Sequence, residues 1–187
     1  GSNTSVNNAE ILGNADTELT ANKVEVYALG ASKAKTDIYN VSIGLISISA
    51  NIALSNQEAV QNARIYGIGS LQAESVKVTS EFNYNEPEKG KAEVIEDSAY
   101  SLTCNPVAFG AVTIAGSLSK ANSDASTRAY MKGCGGTVTN STTVETTARS
   151  KATADIDTPV VTVSLGDIGV AVVNAHADGT AESFVDT

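Results

Sequence analysis

PVAFGAVTIAGSLSKANSDASTRAY, Pro106 to Tyr130, decides how the rest of the chain is read, because the chain carries it in three versions. The others run from Val41 to Tyr66 and from Thr162 to Phe184. Aligned without gaps over their apolar halves, the three share columns at every second residue: Ile46/Val112/Gly166, Ile48/Ile114/Ile168, Ala50/Gly116/Val170 and Ile52/Leu118/Val172. A period of two marks a β-strand with one continuously apolar face. The intervening residues, such as Ser47/Thr113/Asp167 and Asn51/Ser117/Ala171, are smaller and more polar. The apolar columns are therefore expected to line the core and the polar ones to face outward.

Outward from this stretch the repetition continues. The anchors Leu12, Tyr66, Tyr130 and Phe184 each close a short strand and are separated by 54, 64 and 54 residues. A V-x-V-like strand follows the first three, at Val24/Val26, Val76/Val78 and Val144/Thr146. A Lys-Ala pair comes next, at Lys33-Ala34, Lys91-Ala92 and Lys151-Ala152, and then the long strand returns. Three units, about 9–62, 63–126 and 127–187, make a single domain. Residues 1–8 are set apart as a disordered start, with Gly-Ser-Asn read as a cloning scar.

Units of this kind cannot bury an apolar face alone, and stacking them in register lets each cover the next. The expected fold is all-β, a parallel β-solenoid (β-helix) of about three repeat units. A duplicated antiparallel sandwich would need tight hairpins. Asn-Gly is absent, and the one Asp-Gly, Asp178-Gly179, falls inside a repeated segment. Asn56 to Arg64 has helix-forming composition but no helical stripe. Pro106 and Pro159 stand just before long strands, where a missing N–H harms no ladder.

Composition narrows the function. A formal charge of −9 repels phosphate backbones, which argues against nucleic acid as a partner. No apolar run is long enough for a membrane-spanning helix, and aromatics at 5% cannot furnish the girdles of a membrane barrel. One histidine, His176, and two cysteines make no zinc set, and calcium and phosphate-binding loop motifs are absent, so no metal or cofactor is expected. Glycoside chemistry needs two carboxyls held close on a rigid surface. Asp124 and Asp178 are equivalent across units, but repeated turn aspartates ordinarily cap backbone N–H groups. No catalytic residue is assigned. The threonines at Thr137, Thr139, Thr142 and Thr143 have no counterparts in the other units, which argues against a flat ice-binding array.

The second unit is the longest. Fourteen residues separate Val78 from Ala92, against eight from Val26 to Ala34 and six from Thr146 to Ala152. The excess, Ser80 to Gly90, opens an acidic stretch in which residues 81–97 hold six acids and two lysines. Solenoid insertions leave as loops on one face, often the binding face. Phe82 and Tyr84, with Glu86 and Glu88, are the candidate ligand-binding residues; the alternative is that the two aromatics pack against the solenoid wall. Cys104 and Cys134 lie in turn-like contexts, as a disulfide in an extracellular protein or as two unlinked small residues.

The succession of GLISISANIA (Gly44 to Ala53), ARIYG (Ala63 to Gly67) and a following L-x-A-x-x-V-x-V-x-S strand (Leu71 to Ser80) resembles the repeats of leukotoxin-type filamentous adhesins. These are large secreted bacterial surface proteins related to filamentous haemagglutinin. The likeness covers Ile11 to Val185 in three copies. It implies a non-enzymatic segment of a longer polypeptide at the extracellular bacterial cell surface, a virulence factor acting in attachment or cytotoxicity. Its partners would be adjacent repeats of the same polypeptide and a host cell-surface protein or glycan. The competing reading is a carbohydrate-active β-helix enzyme with a groove beside the insert.

Overall fold

Val, Ile, Thr and Ser at alternate positions favour extended chain, and strands are what this chain forms. The computed structural model describes residues 1–38, 41–85, 93–94, 99–103, 107–138, 144–150, 154–157 and 162–186. Within them the strands are β1 (Ser2–Leu12), β2 (Glu18–Gly30), β3 (Ala34–Ile38), β4 (Val41–Ile43), β5 (Ile46–Tyr66), β6 (Ser70–Phe82) and β7 (Tyr84–Asn85). They continue as β8 (Glu93–Val94), β9 (Ala99–Thr103), β10 (Val107–Lys132), β11 (Gly136–Val138), β12 (Val144–Ser150), β13 (Ala154–Asp157) and β14 (Thr162–Asp186). No helix occurs among the described residues, and Asn56 to Arg64 lies in the middle of β5.

Three parallel sheets carry the fold, and each repeats the order of the chain. The first runs β1-β5-β10-β14, with β4 also on β10; the second has β6 between β2 and the pair β11 and β12; the third is β3-β9-β13. A chain that visits three parallel sheets in turn and then revisits them is β-helix-like. The four apolar columns are neighbours as expected: Ile114 pairs with Ile48 and Ile168, and Leu118 with Ile52 and Val172. Val76 likewise pairs with Val24 and Val144. Ser2 pairs with Asn56, so residues 2–8, set apart in the sequence reading, belong to the edge strand β1.

The direction in which the columns point is the reverse of the expectation. Over the first half of β5 the buried residues are Ser47, Asn51, Ala53, Ser55 and Gln57, while Ile46, Ile48, Ile52 and Leu54 are exposed. On β10, Thr113, Ala115, Ser117, Ser119 and Ala121 point inward, and Val112, Ile114 and Leu118 point out. The reason is the narrowness of the interior. Ser55 Oγ donates to the Ala34 carbonyl at 2.7 Å, Gln57 Nε2 to Ser32 Oγ at 3.0 Å, and Ser80 Oγ to the Gln61 carbonyl at 2.9 Å. At Ser55 and Ser80 a single serine side chain is thus enough to bridge from one sheet to the next. At Gly30 even a Cβ would stand 2.4 Å from Gln61 Nε2. Ser, Ala and Thr fit such a gap, and the hydroxyls of Ser55, Ser80 and Ser123 find partners there. A column of isoleucines does not fit.

The apolar core lies further along the same strands. Val24, Val26, Ile65, Ile68, Leu71, Val76, Val78, Ala129 and Met131 form one buried cluster. It sits beside the corner that follows the long strand. There Gly67 and Gly133 take φ of 72° and 62°, a left-handed conformation that favours glycine. Their N–H groups extend the ladder, Gly67 to the Lys132 carbonyl at 3.0 Å and Gly133 to that of Asp186 at 2.9 Å.

Two alignments are corrected. Tyr66 pairs with Lys132, and Tyr130 with Arg64, because the β5–β10 ladder keeps one offset from Val112 to Lys132. The similarity of the two Tyr anchors suggested a register two residues away. Changing register inside an unbroken ladder would need bulges, and none interrupts this one. The partner of Ala34 is Ala99, which pairs in turn with Ala154. The Lys-Ala pairs at 91–92 and 151–152 lie outside the described residues.

Candidate functional site

The registers locate the insertion. Residues 31–33 connect Gly30 to Ala34, and 151–153 connect Ser150 to Ala154, whereas 83–98 connect Phe82 to Ala99. Of these three equivalent connections, only 83–98 carries extra length. Phe82 is fully buried and packs with Ala59 and Ala125, so it is a core residue and leaves the set of candidate ligand contacts. Its neighbours Glu81 and Asn83 are buried as well. Asn83 adopts φ 57°, which asparagine tolerates better than most residues. Its N–H donates to the Gly30 carbonyl at 2.8 Å, and its side-chain oxygen accepts from the Ser32 N–H at 3.2 Å. The insertion therefore leaves the wall at Tyr84. Tyr84 pairs with Val94 and Asn85 with Glu93 in an antiparallel ladder, so β7 and β8 form its base. Glu86 and Glu88 lie outside the described residues.

The outer face of the long-strand sheet divides into two halves that the sequence reading missed. One half is apolar. Ile48, Ile114 and Ile168, which are 73%, 41% and 61% exposed, form a ridge running from strand to strand. Ile52, Leu118 and Val172 form a second ridge. The row between them is Ala50, Gly116 and Val170, a trough over its first two members. Contiguous apolar area of this extent on a protein surface marks an interaction site. Alternation distinguishes the two faces without showing which is covered, so it does not by itself identify this surface.

The other half is polar and strapped from strand to strand. Arg64 Nη2 meets Glu10 Oε1 at 2.8 Å on one neighbouring strand and Nη1 donates to Tyr130 Oη at 3.0 Å on the other. These bonds, that to Tyr130 first, hold the guanidinium above its ordinary pKa. Arg128 Nε meets Glu182 Oε2 at 2.7 Å, and Tyr130 stacks on Phe184 with ring centroids 4.9 Å apart. Arg128 also lies 5.6 Å over the ring of Tyr130, the cation–π contact that strand alternation permits. Where the polar half meets the apolar one, it holds a shallow depression lined by Asn56, Glu58, Lys120, Asn122, Asp124, Asn174 and His176. Asp124 and Asp178, expected in turns, stand mid-strand and pair in register, with Glu58 beside Asp124 on the other side. Among the described residues no group of three or more His, Cys, Asp and Glu is arranged to hold a metal ion.

Cys134 is a buried free thiol in the corner core, with Sγ 3.5 Å from the Lys132 carbonyl. Its suggested partner Cys104 lies outside the described residues. On the second sheet, Lys23 Nζ lies 2.7 Å from Glu25 Oε1 and Tyr27 Oη donates to the same oxygen at 2.9 Å. Lys23 first, and Tyr27 next, hold this carboxyl below its ordinary pKa. Comparison with protein-family models, with curated proteins and with solved structures finds no match to this chain.

Proposed function

We infer that the three sheets are the walls of a closed β-solenoid of about three coils, and that this solenoid is a non-enzymatic segment of a large secreted bacterial surface adhesin. The observation that carries the reading is the repeated order β1-β5-β10-β14, β2-β6-β12 and β3-β9-β13 in three sheets. Parallel coils stacked in constant register make a rod whose length grows with the number of repeats. Such a rod acts as a stalk, and a loop on one coil provides a place for recognition. The insertion that leaves the wall at Tyr84 is that loop, and the partner is a host cell-surface protein or glycan. Adjacent repeats of the same polypeptide stack on the outer strands β1 and β14.

The test is a glycan array and a host-cell binding assay on the whole chain, alongside a variant with Tyr84–Ser98 replaced by Ser-Lys, the connection of the first coil. Binding that is lost in the variant while its melting curve holds is the expected result. Absence of binding to every host surface refutes the adhesive role. A reducing-sugar assay on the same protein separates this reading from a carbohydrate-active enzyme, since steady sugar release would overturn the non-enzymatic assignment.

A further inference from the structure

We propose that the apolar half of the outer face is a self-association surface, on which a second copy of this chain packs face to face about a two-fold axis.

The first argument is Gly116. A glycine inside a strand weakens it, and it ordinarily marks a bulge, a tight bend or the close approach of something else. β10 has no bulge here, since its offset to β5 is constant from Val112 onward. Gly116 is not among the glycines with positive φ. A Cβ built on it would meet nothing nearer than the Ser49 carbonyl oxygen, at 4.0 Å. Nothing within the chain therefore requires glycine at this position. What its absent side chain does is deepen the trough between the Ile48/Ile114/Ile168 ridge and the ridge beyond it. An external group seated in that trough accounts for it.

Area and shape identify the occupant. The exposed apolar side chains of this half present on the order of 900 Å², against about 800 Å² per partner in a stable interface. A two-fold axis lying in the interface along the stacking direction, between the isoleucine ridge and the trough, seats each copy's ridge in the other's trough. The rows at Val112 and Leu118 then face each other. Two sheets packed this way interdigitate at about 10 Å, as inner faces of sandwiches do. The interface is isologous and closes on itself.

Charge selects this axis over the alternative. The chain carries −9, so two copies repel unless their acids are kept apart. The ridges and the trough contain no charged residue, and Glu58, Asp124 and Asp178 all lie in the polar half. An axis along the stacking direction reverses strand direction between the copies and sends the polar halves away from each other. An axis along the strands would lay acid over acid.

Sedimentation velocity over a concentration series tests the proposal on the whole chain. The wild-type protein is expected to sediment as a dimer. The Cβ of Gly116→Leu would meet no atom of its own chain nearer than the Ser49 carbonyl oxygen at 4.0 Å, and the rest of the side chain fills the trough between the ridges. The variant should therefore keep the wild-type circular dichroism spectrum. Its dissociation constant should rise by about tenfold or more. Should Gly116→Leu fail to fold, Ile114→Ser reads the same interface from a ridge position that is already exposed. A wild-type chain that stays monomeric at every concentration overturns the proposal. A dimer that survives the folded variant overturns it too and places association elsewhere, as on the open edges of β1 and β14.

Discussion

Ile114 and Ala129 belong to the same strand, and the same substitution at each should have opposite consequences. Ile114 is 41% exposed on the outer face; Ala129 is fully buried among Val26, Ile65 and Val78. Complete burial of an isoleucine is worth roughly 1.5–3 kcal/mol, and Ile114 realises only part of that against Ile48 and Ile168, so Ile114→Asp should cost about 1 kcal/mol. Ala129→Asp places an uncompensated charge in an apolar cluster, at a cost of several kcal/mol even if the carboxyl takes up a proton. Set against a total stability of about 5–15 kcal/mol for an ordinary domain, the first variant folds and the second is unfolded or close to it. Urea denaturation followed by circular dichroism decides the matter. It should be run at low protein concentration, so that self-association adds nothing to apparent stability. An unfolded Ile114→Asp beside an unperturbed Ala129→Asp would show the two faces of the strand to be reversed, with the isoleucine columns inside.

Replacing Tyr84–Ser98 by Ser-Lys should leave the melting temperature nearly unchanged, because surface loop length contributes only closure entropy; collapse of this variant would make the insertion part of the core. The Arg64–Tyr130 hydrogen bond, 3.0 Å and partly buried, should give a coupling of roughly 0.5–1 kcal/mol in a double-mutant cycle of Arg64→Met and Tyr130→Phe, and strictly additive losses would deny it. Glu25 has a folded-state pKa below its ordinary 4.5, so it adds stability above that value and loses it as pH falls through the lower folded pKa. An NMR titration should find its midpoint below 4.5 and raised by Lys23→Met, and a midpoint indifferent to that change would remove the ion pair as the cause.

How much of this was legible beforehand depends on what alternation can report. The columns at Ile48/Ile114/Ile168 and Val24/Val76/Val144 were found correctly, because identical periods in repeated segments specify which residues become neighbours. Their orientation was not, because a period of two separates two faces without saying which one an opposing strand approaches. That depends on the distance to Ala34 and Ser32, residues far away in sequence. The pairing of Tyr130 with Arg64 rather than Tyr66 was invisible for a related reason: a slip of two residues leaves every side chain on its own face. The insertion was placed on the correct connection but begun too early. Phe82 reads like a loop aromatic until its strand partner Gly30 and its contacts with Ala59 and Ala125 are known. The candidate surface on the outer face followed from none of the motifs, since its isoleucines had already been assigned to the core.

The order β1-β5-β10-β14 also determines how this protein responds to force. Its first and last strands occupy opposite edges of one sheet, so tension applied through the two ends of the chain runs across the strands rather than along them. Hydrogen bonds between strands point in that same direction. Such a load falls first on the ladder at one edge, and a rung can peel away while the rungs behind it hold. The ion pairs Arg64–Glu10 and Arg128–Glu182 and the Tyr130–Phe184 stack cross the outermost ladders, where peeling would begin. Extension under load would then proceed strand by strand, and slack would pass into the chain gradually instead of in a single rupture.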